Sequence, residues 1–384
     1  MMQDDAWLAA SSDAEEAASL TAHLVSFRSY PGQEGEVQRA VASWLNKHGL
    51  NPIYGPTGDQ ARPNVLAAVE NGPGPTLLLN GHVDTVLAVE GWSSDPWAAR
   101  REGDRLYGLG ACDMKAGVAA AMLATRALAR RRDLWQGTVL FTTVVDEEAY
   151  SVGARALVEA GIQADACVVT ESSWERPCLG SVGKLLVRAD VTGRAAHASW
   201  PAAGINAAVE AARLVARLDD LPLRPHPRLT PTQCVLSLLS GNEQYVITVP
   251  EHAQVVLNRM IVPGETGAGV LDDLRALATE LDSRASFDFA LDPPFYPPWE
   301  TAPDEPLATA FARAYAVEAG HDPDWGYTGF GDANLFAGEL GIPTVQFGPH
   351  GANFHQADEW IDVPSIGATV RVLLRLALDV LRTV

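Results

Sequence analysis

Hydrophobic positions along the chain alternate between two patterns. Short, almost wholly apolar runs occur at Asn64–Glu70, Thr76–Asn80, 138–145 (TVLFTTVV), 166–170 (ACVVT) and 342–348 (IPTVQFG). Between them lie stretches with helical character. One opens near Ser12, where Ser12 and Glu15 have capping-box spacing. Another runs from Glu34 to His48 and stops at Gly49, a third is the Ala-rich segment 114–131, and a fourth covers about 151–160. Apolar strands alternating with helices predict an α/β layer built on a mixed, mostly parallel sheet. The stretch from 181 to 292 has a different order. LLVRADVT, CVLSLLS, AQVVLNRMIV and SFDFAL read as strands, with helices over Ile205–Leu218 and Gly267–Leu281. That order is β-α-β-β-α-β, which predicts a ferredoxin-like α+β unit. The Pro-rich DPPFYPPW at 292–299 reads as a linker at its far edge. The expected organisation is a catalytic domain from 1–180 and 293–384, with 181–292 inserted.

Composition narrows the class. The chain has 384 residues, and at about 150 residues per domain this predicts two to three domains. It is 47% hydrophobic and 20% charged, so most of its length can bury a core and need not be disordered. Against 28 Lys and Arg stand 48 Asp and Glu, a net charge of −20. A field of that sign argues against nucleic acid and against anionic membrane surfaces as partners. No apolar run reaches the ~20 residues of a membrane span. The acidic opening MMQDDAWLAASSDAEEAA has no basic segment followed by an apolar one, as a secretory signal would. Cys112, Cys167, Cys178 and Cys234 form no CxxC pair, which suits buried free thiols in a reducing compartment. A soluble cytoplasmic protein is expected. The run Arg130–Arg132 reads as a solvated helix end, where cations suit the dipole.

Chemistry is concentrated in five short segments at predicted strand ends. LLLNGHVDTV carries His82 and Asp84, two apart and therefore on one face of a strand. That pairing suits a metal ligand with a carboxylate orienting it. GLGACDMKAG places Asp113 in a Gly-rich bend before a helix. TTVVDEEAYSVG places Asp146, Glu147 and Glu148 past a buried strand. VVTESS ends in Glu171, and ANFHQADEW carries His355, Asp358 and Glu359. Singly, each is what a helix cap or a solvated loop would also offer. Together they lie at the carboxyl ends of parallel strands, where α/β folds place their sites. Two His and several carboxylates without a Cys pattern suit a borderline divalent ion such as zinc, and more than four candidate ligands suggest two ions.

Taken as a set, GHVDT, GxGxxDMKxG, DEE, TES, GRAAHAS and HQADE resemble the co-catalytic metallopeptidase family that includes acetylornithine deacetylase, succinyl-diaminopimelate desuccinylase, aminoacylase and glutamate carboxypeptidase. The match runs in order over nearly the whole chain. The resemblance implies an α/β catalytic domain with an inserted ferredoxin-like lid that often mediates dimerisation. It implies that His82, Asp113 and Glu171 hold one metal ion, that Asp113 bridges, and that Glu148 and His355 complete a second site. Zn²⁺ is the expected metal, with Co²⁺ as a possible substitute. By the same resemblance Asp84 orients His82, and Glu147 is the general base that deprotonates a water held between the cations and passes the proton to the leaving nitrogen. Adjacent strand residues point to opposite sides, so one Glu of the pair can ligate while the other faces substrate. His197 of GRAAHAS is implied to stabilise the oxyanion, in trans from a partner subunit or within one chain. The Asp113–Met114 bond is implied to be cis. The expected reaction is hydrolysis of an amide in a small N-acyl amino acid, acetylornithine deacetylase-like, with a dipeptidase or carboxypeptidase as the alternative.

Two positions depart from the family pattern. Where an Asn is common, YVITVPE has Ile247; where an Arg often grips a substrate carboxylate, NRMIVPGE has Met260. Arg259 is next door and on a regular strand points the other way, so either a bulge turns it inward or it is a surface charge. With Ile247 and Met260 in those places, weak selectivity for doubly anionic substrates such as succinyl-diaminopimelate is expected, with more tolerance of apolar groups.

Overall fold

Three helices open the chain: α1 (Met2–Ser11), α2 (Ala14–Val25) and α3 (Gly35–Lys47). The N-cap of α2 is Asp13, whose Oδ1 accepts the Glu16 N–H at 2.8 Å. Ser12 is not the cap; its hydroxyl donates back to the Leu8 carbonyl of α1 at 2.8 Å and its oxygen accepts from Arg371 at 3.2 Å, so it is not turned to the Glu15 N–H as the capping box would need. On α3, Val37, Val41 and Leu45 recur every four residues and are buried. The chain leaves that helix through Gly49 at φ +74°, a left-handed turn suited to glycine. Then follow β1 (Ile53–Gly55), β2 (Asn64–Asn71), β3 (Thr76–His82), β4 (Arg100–Glu102), β5 (Arg105–Tyr107), α4 (Ala116–Arg130), β6 (Gly137–Val144), α5 (Val152–Glu159), β7 (Ala166–Val169) and β8 (Cys178–Ser181). Next come β9 (Gly183–Thr192), α6 (Ala207–Ala216), β10 (Thr232–Ser240), β11 (His252–Ile261), α7 (Gly267–Glu280) and β12 (Ser286–Tyr296). The chain ends with β13 (Trp299–Glu300), α8 (Pro306–Ala319), β14 (Gly326–Thr328), β15 (Thr344–Gln346), β16 (Gly351–Ala352), β17 (Trp360–Asp362) and α9 (Val363–Val380). The computed structural model describes residues 2–57, 59–241 and 247–381.

The chain divides into two compact units, Met1–Gly180 with Glu300–Val384, and Ser181–Trp299. In the first, the main sheet has the order β1-β2-β6-β3-β7-β15-β8-β13, with β14 beside β8. Its centre, β6-β3-β7-β15, is parallel, flanked by antiparallel pairings. The central strands are buried along almost their whole length because helices cover both faces, which is why they read as continuous apolar runs. Helix α4 is buried from Ala116 to Leu128. Its first turn packs so closely on the end of β7 that a Cβ at Gly117 would lie 1.8 Å from the Thr170 carbonyl oxygen. This glycine brings the loop before α4 against the segment after β7. A small antiparallel sheet, β16-β17-β5-β4, joins the late segment 351–362 to residues 100–107.

The second unit has sheet order β10-β11-β9-β12 with every neighbour antiparallel. This is the arrangement of a split βαβ pair. Val187, Ala189, Val255 and Leu257 of the sheet share one core with Leu214 of α6 and Leu274 of α7. The Pro-rich segment at 292–299 is not a linker. Strand β12 runs through it to Tyr296, with a register shift against β9 between Asp292 and Tyr296. A sheet edge tolerates proline, whose missing N–H needs no ladder partner there.

Candidate active site

His82 is the last residue of β3, Glu147 and Glu148 follow β6, and Glu171 follows β7, so three parallel strands deliver side chains to one edge of the sheet. Asp113 comes from the tight turn before α4, across a cis Asp113–Met114 peptide bond. His355 comes from the loop between β16 and β17 and holds φ +61°.

These residues meet in two groups that share Asp113. His82 is buried, and its Nε2 lies 3.1 Å from Asp113 Oδ1 and 3.3 Å from Glu171 Oε1. His355 Nε2 lies 3.2 Å from Asp113 Oδ2 and 3.1 Å from Glu148 Oε2. The ligand atoms of His82, Asp113 and Glu171 all lie within 4.8 Å of one another, as do those of Asp113, Glu148 and His355. Two imidazole nitrogens and three carboxylates in that disposition fit a pair of divalent cations, with one carboxylate oxygen of Asp113 turned to each group.

Glu147 stands apart from both groups, its Oε2 4.0 Å from His82 Nε2. The adjacent carboxylates diverge, but not by strand alternation. Strand β6 ends at Val144, and the pair sits in a turn entered through Asp146 at φ +68°. Asp146 is held there by Arg62 at 3.0 Å, and Arg62 also reaches the buried Glu34 at 3.2 Å.

Asp84 lies behind His82. Its Oδ1 is 3.5 Å from His82 Nδ1, and its Oδ2 accepts the Glu148 N–H at 2.9 Å. His82 Nδ1 is hydrogen-bonded to the Asp84 main-chain carbonyl at 3.2 Å, so Asp84 holds the imidazole of the first group through its backbone and the backbone of the second through its carboxylate. Glu359 is buried and clamps the Asp113 turn. It accepts the N–H groups of Gly110 at 2.9 Å, Cys112 at 2.7 Å and Asp113 at 3.0 Å. Asp358, its neighbour in sequence, instead accepts the Ser93 N–H at 3.0 Å and hydroxyl at 2.8 Å. It belongs to neither group, because the chain turns at φ +55° there and sends the two carboxylates apart.

The electrostatics are those of crowded carboxylates. Burial, reinforced by Asp113, pushes the Glu171 carboxyl up to about 7. Burial also raises Glu147 well above its ordinary range, with Asp332, Glu171 and Glu148 adding to the effect and His82 opposing it. Glu148 is raised chiefly by burial. Asp113 is buried too, but hydrogen bonds from His355 and His82 outweigh that and hold it below the usual carboxylate range. The His355 ring is raised to about 10 by its bonds to Asp113 and Glu148. Negative charge packed this closely out of water makes a strong attractor for cations.

The sequence marks no role for three further groups at the site, the buried Asp332 and Lys115 and the half-buried Arg62. Asp332, in the loop after β14, is buried and pushed up to about 7 by that burial. Lys115, also buried, donates to the Phe27 carbonyl at 3.1 Å and is lowered to about 7 by burial. Arg62 comes from the loop between β1 and β2. In sequence Asp332 and Arg62 look like ordinary loop charges, and Lys115, though it is the Lys of GxGxxDMKxG, gives no sign of being buried. Cys112, Cys167 and Cys178 are buried free thiols, and Cys234 is exposed.

Residues 78–379 match the model of Peptidase family M20/M25/M40. The chain belongs to this family. It is therefore a hydrolase of the metallopeptidase kind. Among curated proteins it is 28% identical to succinyl-diaminopimelate desuccinylase of Leptothrix cholodnii, over 91% of this chain and 94% of the relative. It is 29% identical to the desuccinylase of Cupriavidus taiwanensis, over 90% and 94%. Among solved M20-type structures, an aminopeptidase PepT from Bacillus cereus superposes with a TM-score of 0.78 at 24% identity, covering 96% of this chain and 99% of that one. A dinuclear metal-binding peptidase of the M20 family from Bacillus subtilis gives 0.74 at 19% identity, covering 97% and 99%. The two desuccinylases support the deacylase class and lend nothing to an acetylornithine-type preference.

In the inserted unit of this M20 chain, His197 lies on an exposed loop after β9. Its Nδ1 accepts the Ser199 N–H at 3.1 Å, and it bridges to Thr248. Ile247, beside that bridge, is 56% exposed. Arg259 is neither turned by a bulge nor a surface charge. The pairing of β11 with β9 runs without a shift through Arg259, which puts it on the core face with Val255, Leu257 and Ile261. There it is 4% exposed, 2.9 Å from Glu265 Oε1 and from the Pro222 carbonyl, and 3.0 Å from Gln233 Oε1. Its alternation was readable; its buried partners, supplied by other segments, were not. No helix among the described residues is long and apolar enough to cross a membrane.

Proposed function

We propose that this M20 enzyme hydrolyses the amide bond of small N-acyl amino acids. The observation that carries the reading is the pair of donor groups sharing Asp113, with a further carboxylate, Glu147, free of both. His82, Asp113 and Glu171 would hold one divalent ion, and Asp113, Glu148 and His355 a second; Zn²⁺ is the proposed metal, with Co²⁺ able to substitute. When bound, such ions polarise the amide carbonyl and make water more acidic. Asp84 keeps the His82 ring in place through Nδ1. Glu147 takes the proton of the attacking water and returns it to the leaving nitrogen. His197 stabilises the oxyanion, in a homodimer formed through the inserted unit. The exposed Leu236 and Leu239 on β10, an edge strand, support such a contact. A cytoplasmic location agrees with free thiols at Cys112, Cys167 and Cys178. Because Arg259 is engaged with Glu265, no arginine of β11 is left to grip a second substrate carboxylate, and apolar acyl groups should be accepted.

The test is a set of three measurements on purified protein. Chelation should abolish hydrolysis, and Zn²⁺ or Co²⁺ should restore it. Glu147→Gln should keep its metal and lose roughly 10²–10⁴-fold in kcat, the usual value of a general base. Glu148→Ala should lose metal, and the reverse pattern would exchange the two roles. In a panel of N-acyl amino acids that includes N-succinyl-diaminopimelate and unblocked dipeptides, acetylated apolar amino acids should be hydrolysed at least as well as the succinyl compound. A panel in which the succinyl compound is far superior would defeat the substrate assignment, and one in which only dipeptides react would favour a dipeptidase.

A further inference from the structure

Gly331 lies in the loop between β14 and the helical turn Asn334–Glu339. It is not among the glycines with positive φ, so its backbone does not demand glycine. Its own loop is closed locally, the Gly331 N–H donating to Asn334 Oδ1 at 2.9 Å and the Asn334 N–H to the Gly331 carbonyl at 3.0 Å. A Cβ built at Gly331 would meet Glu147 Oε1 at 2.6 Å and Glu147 Cδ at 3.8 Å, and nothing else within 4 Å among atoms outside its chain neighbours. A side chain is therefore barred here by one group, the carboxylate of Glu147. Gly329, two residues earlier, has nothing within 4 Å of its Cβ position.

We infer that Gly331 is a positioning residue for the hydrolytic step: its bare Cα is the backstop on which Glu147 Oε1 rests while Oε2 is turned towards His82. This rests on the reading of Glu147 as general base. A methyl group at 331 would require the carboxylate to withdraw by roughly 1 Å to reach ordinary contact distance. The tip of a glutamate can do that by rotating, so the fold is not endangered, but the proton acceptor leaves its place. Misplacement on that scale can cost about 10²-fold in rate.

The experiment compares Gly331→Ala, Gly329→Ala, Glu147→Gln and the double variant Glu147→Gln/Gly331→Ala, each loaded with Zn²⁺ and assayed on N-acetyl amino acids. Metal content, melting temperature and crystal structures are measured beside kcat and KM. Gly331→Ala should bind metal and melt as the parent does, keep its KM, and lose roughly tenfold or more in kcat. Its crystal structure should show the Glu147 carboxylate rotated and the 329–334 backbone in place. Gly329→Ala should match the parent. In the Glu147→Gln background the alanine at 331 should lower the residual rate no further, because the group it displaces no longer acts. An unimpaired Gly331→Ala beside a crippled Glu147→Gln would overturn this inference alone. So would equal losses at 329 and 331, or the same fold-loss from Gly331→Ala in both backgrounds. Full turnover in Glu147→Gln would overturn the reading of the base, and the inference with it.

Discussion

A single carboxylate, Glu359, gathers three backbone N–H groups of the turn that presents Asp113. An amide in its place would set an NH₂ against at least one of those donors, and a buried donor facing a donor is costly. Glu359→Gln should therefore weaken metal binding by about 10–100-fold, as loss of a supporting contact behind a ligand usually does, while the protein remains folded. Competition with a chromogenic chelator would measure this, and parental affinity in the variant would refute the role. The residue types of the site were legible because carboxylates and imidazoles at strand ends have few structural reasons to cluster. The clamp was not, because Glu359 and its donors lie 246 to 249 residues apart. Asp332 was invisible for a related reason: nothing near it in sequence marks a carboxylate as buried.

Among elements, β10 stands out. It is the edge of the inserted unit's sheet, yet Leu236 and Leu239 are 57% and 63% exposed. A long apolar edge is an aggregation hazard unless something covers it. If a second copy covers it, Leu236→Lys with Leu239→Lys should convert a dimer into a monomer in sedimentation, with little change in melting temperature because neither side chain packs in its own core. A parent that sediments as a monomer, or a variant that stays dimeric, would reject the interface. The main elements were readable because their periods are long: the parallel strands are continuously apolar, and the inserted strands alternate, as in β9 and β11. The small β16-β17-β5-β4 sheet was not, since strands of two or three residues span barely one alternation. The end of β12 was missed because proline carries a turn signal, although a sheet edge can hold it.

At the scale of the whole molecule, each unit has its own core, and every proposed metal ligand belongs to the unit of Met1–Gly180 and Glu300–Val384. Ligand binding stabilises the structure that contains the site. Zn²⁺ should therefore raise amide protection in β3, β6 and β7 and leave β9 and β11 nearly unchanged in hydrogen exchange. An equal gain in all five strands would show that the units do not respond separately. The contiguity of the inserted unit has a consequence for biosynthesis. Ser181–Trp299 is finished by the ribosome while β15, His355 and Glu359 are still untranslated. Elongation at about 5–20 residues per second leaves an interval on the order of ten seconds before those residues emerge. During that interval β7 lacks its neighbour β15, and the Asp113 turn lacks its clamp. The nascent chain thus carries a completed insert on an uncompleted host, and metal can be captured in full only once His355 has been made.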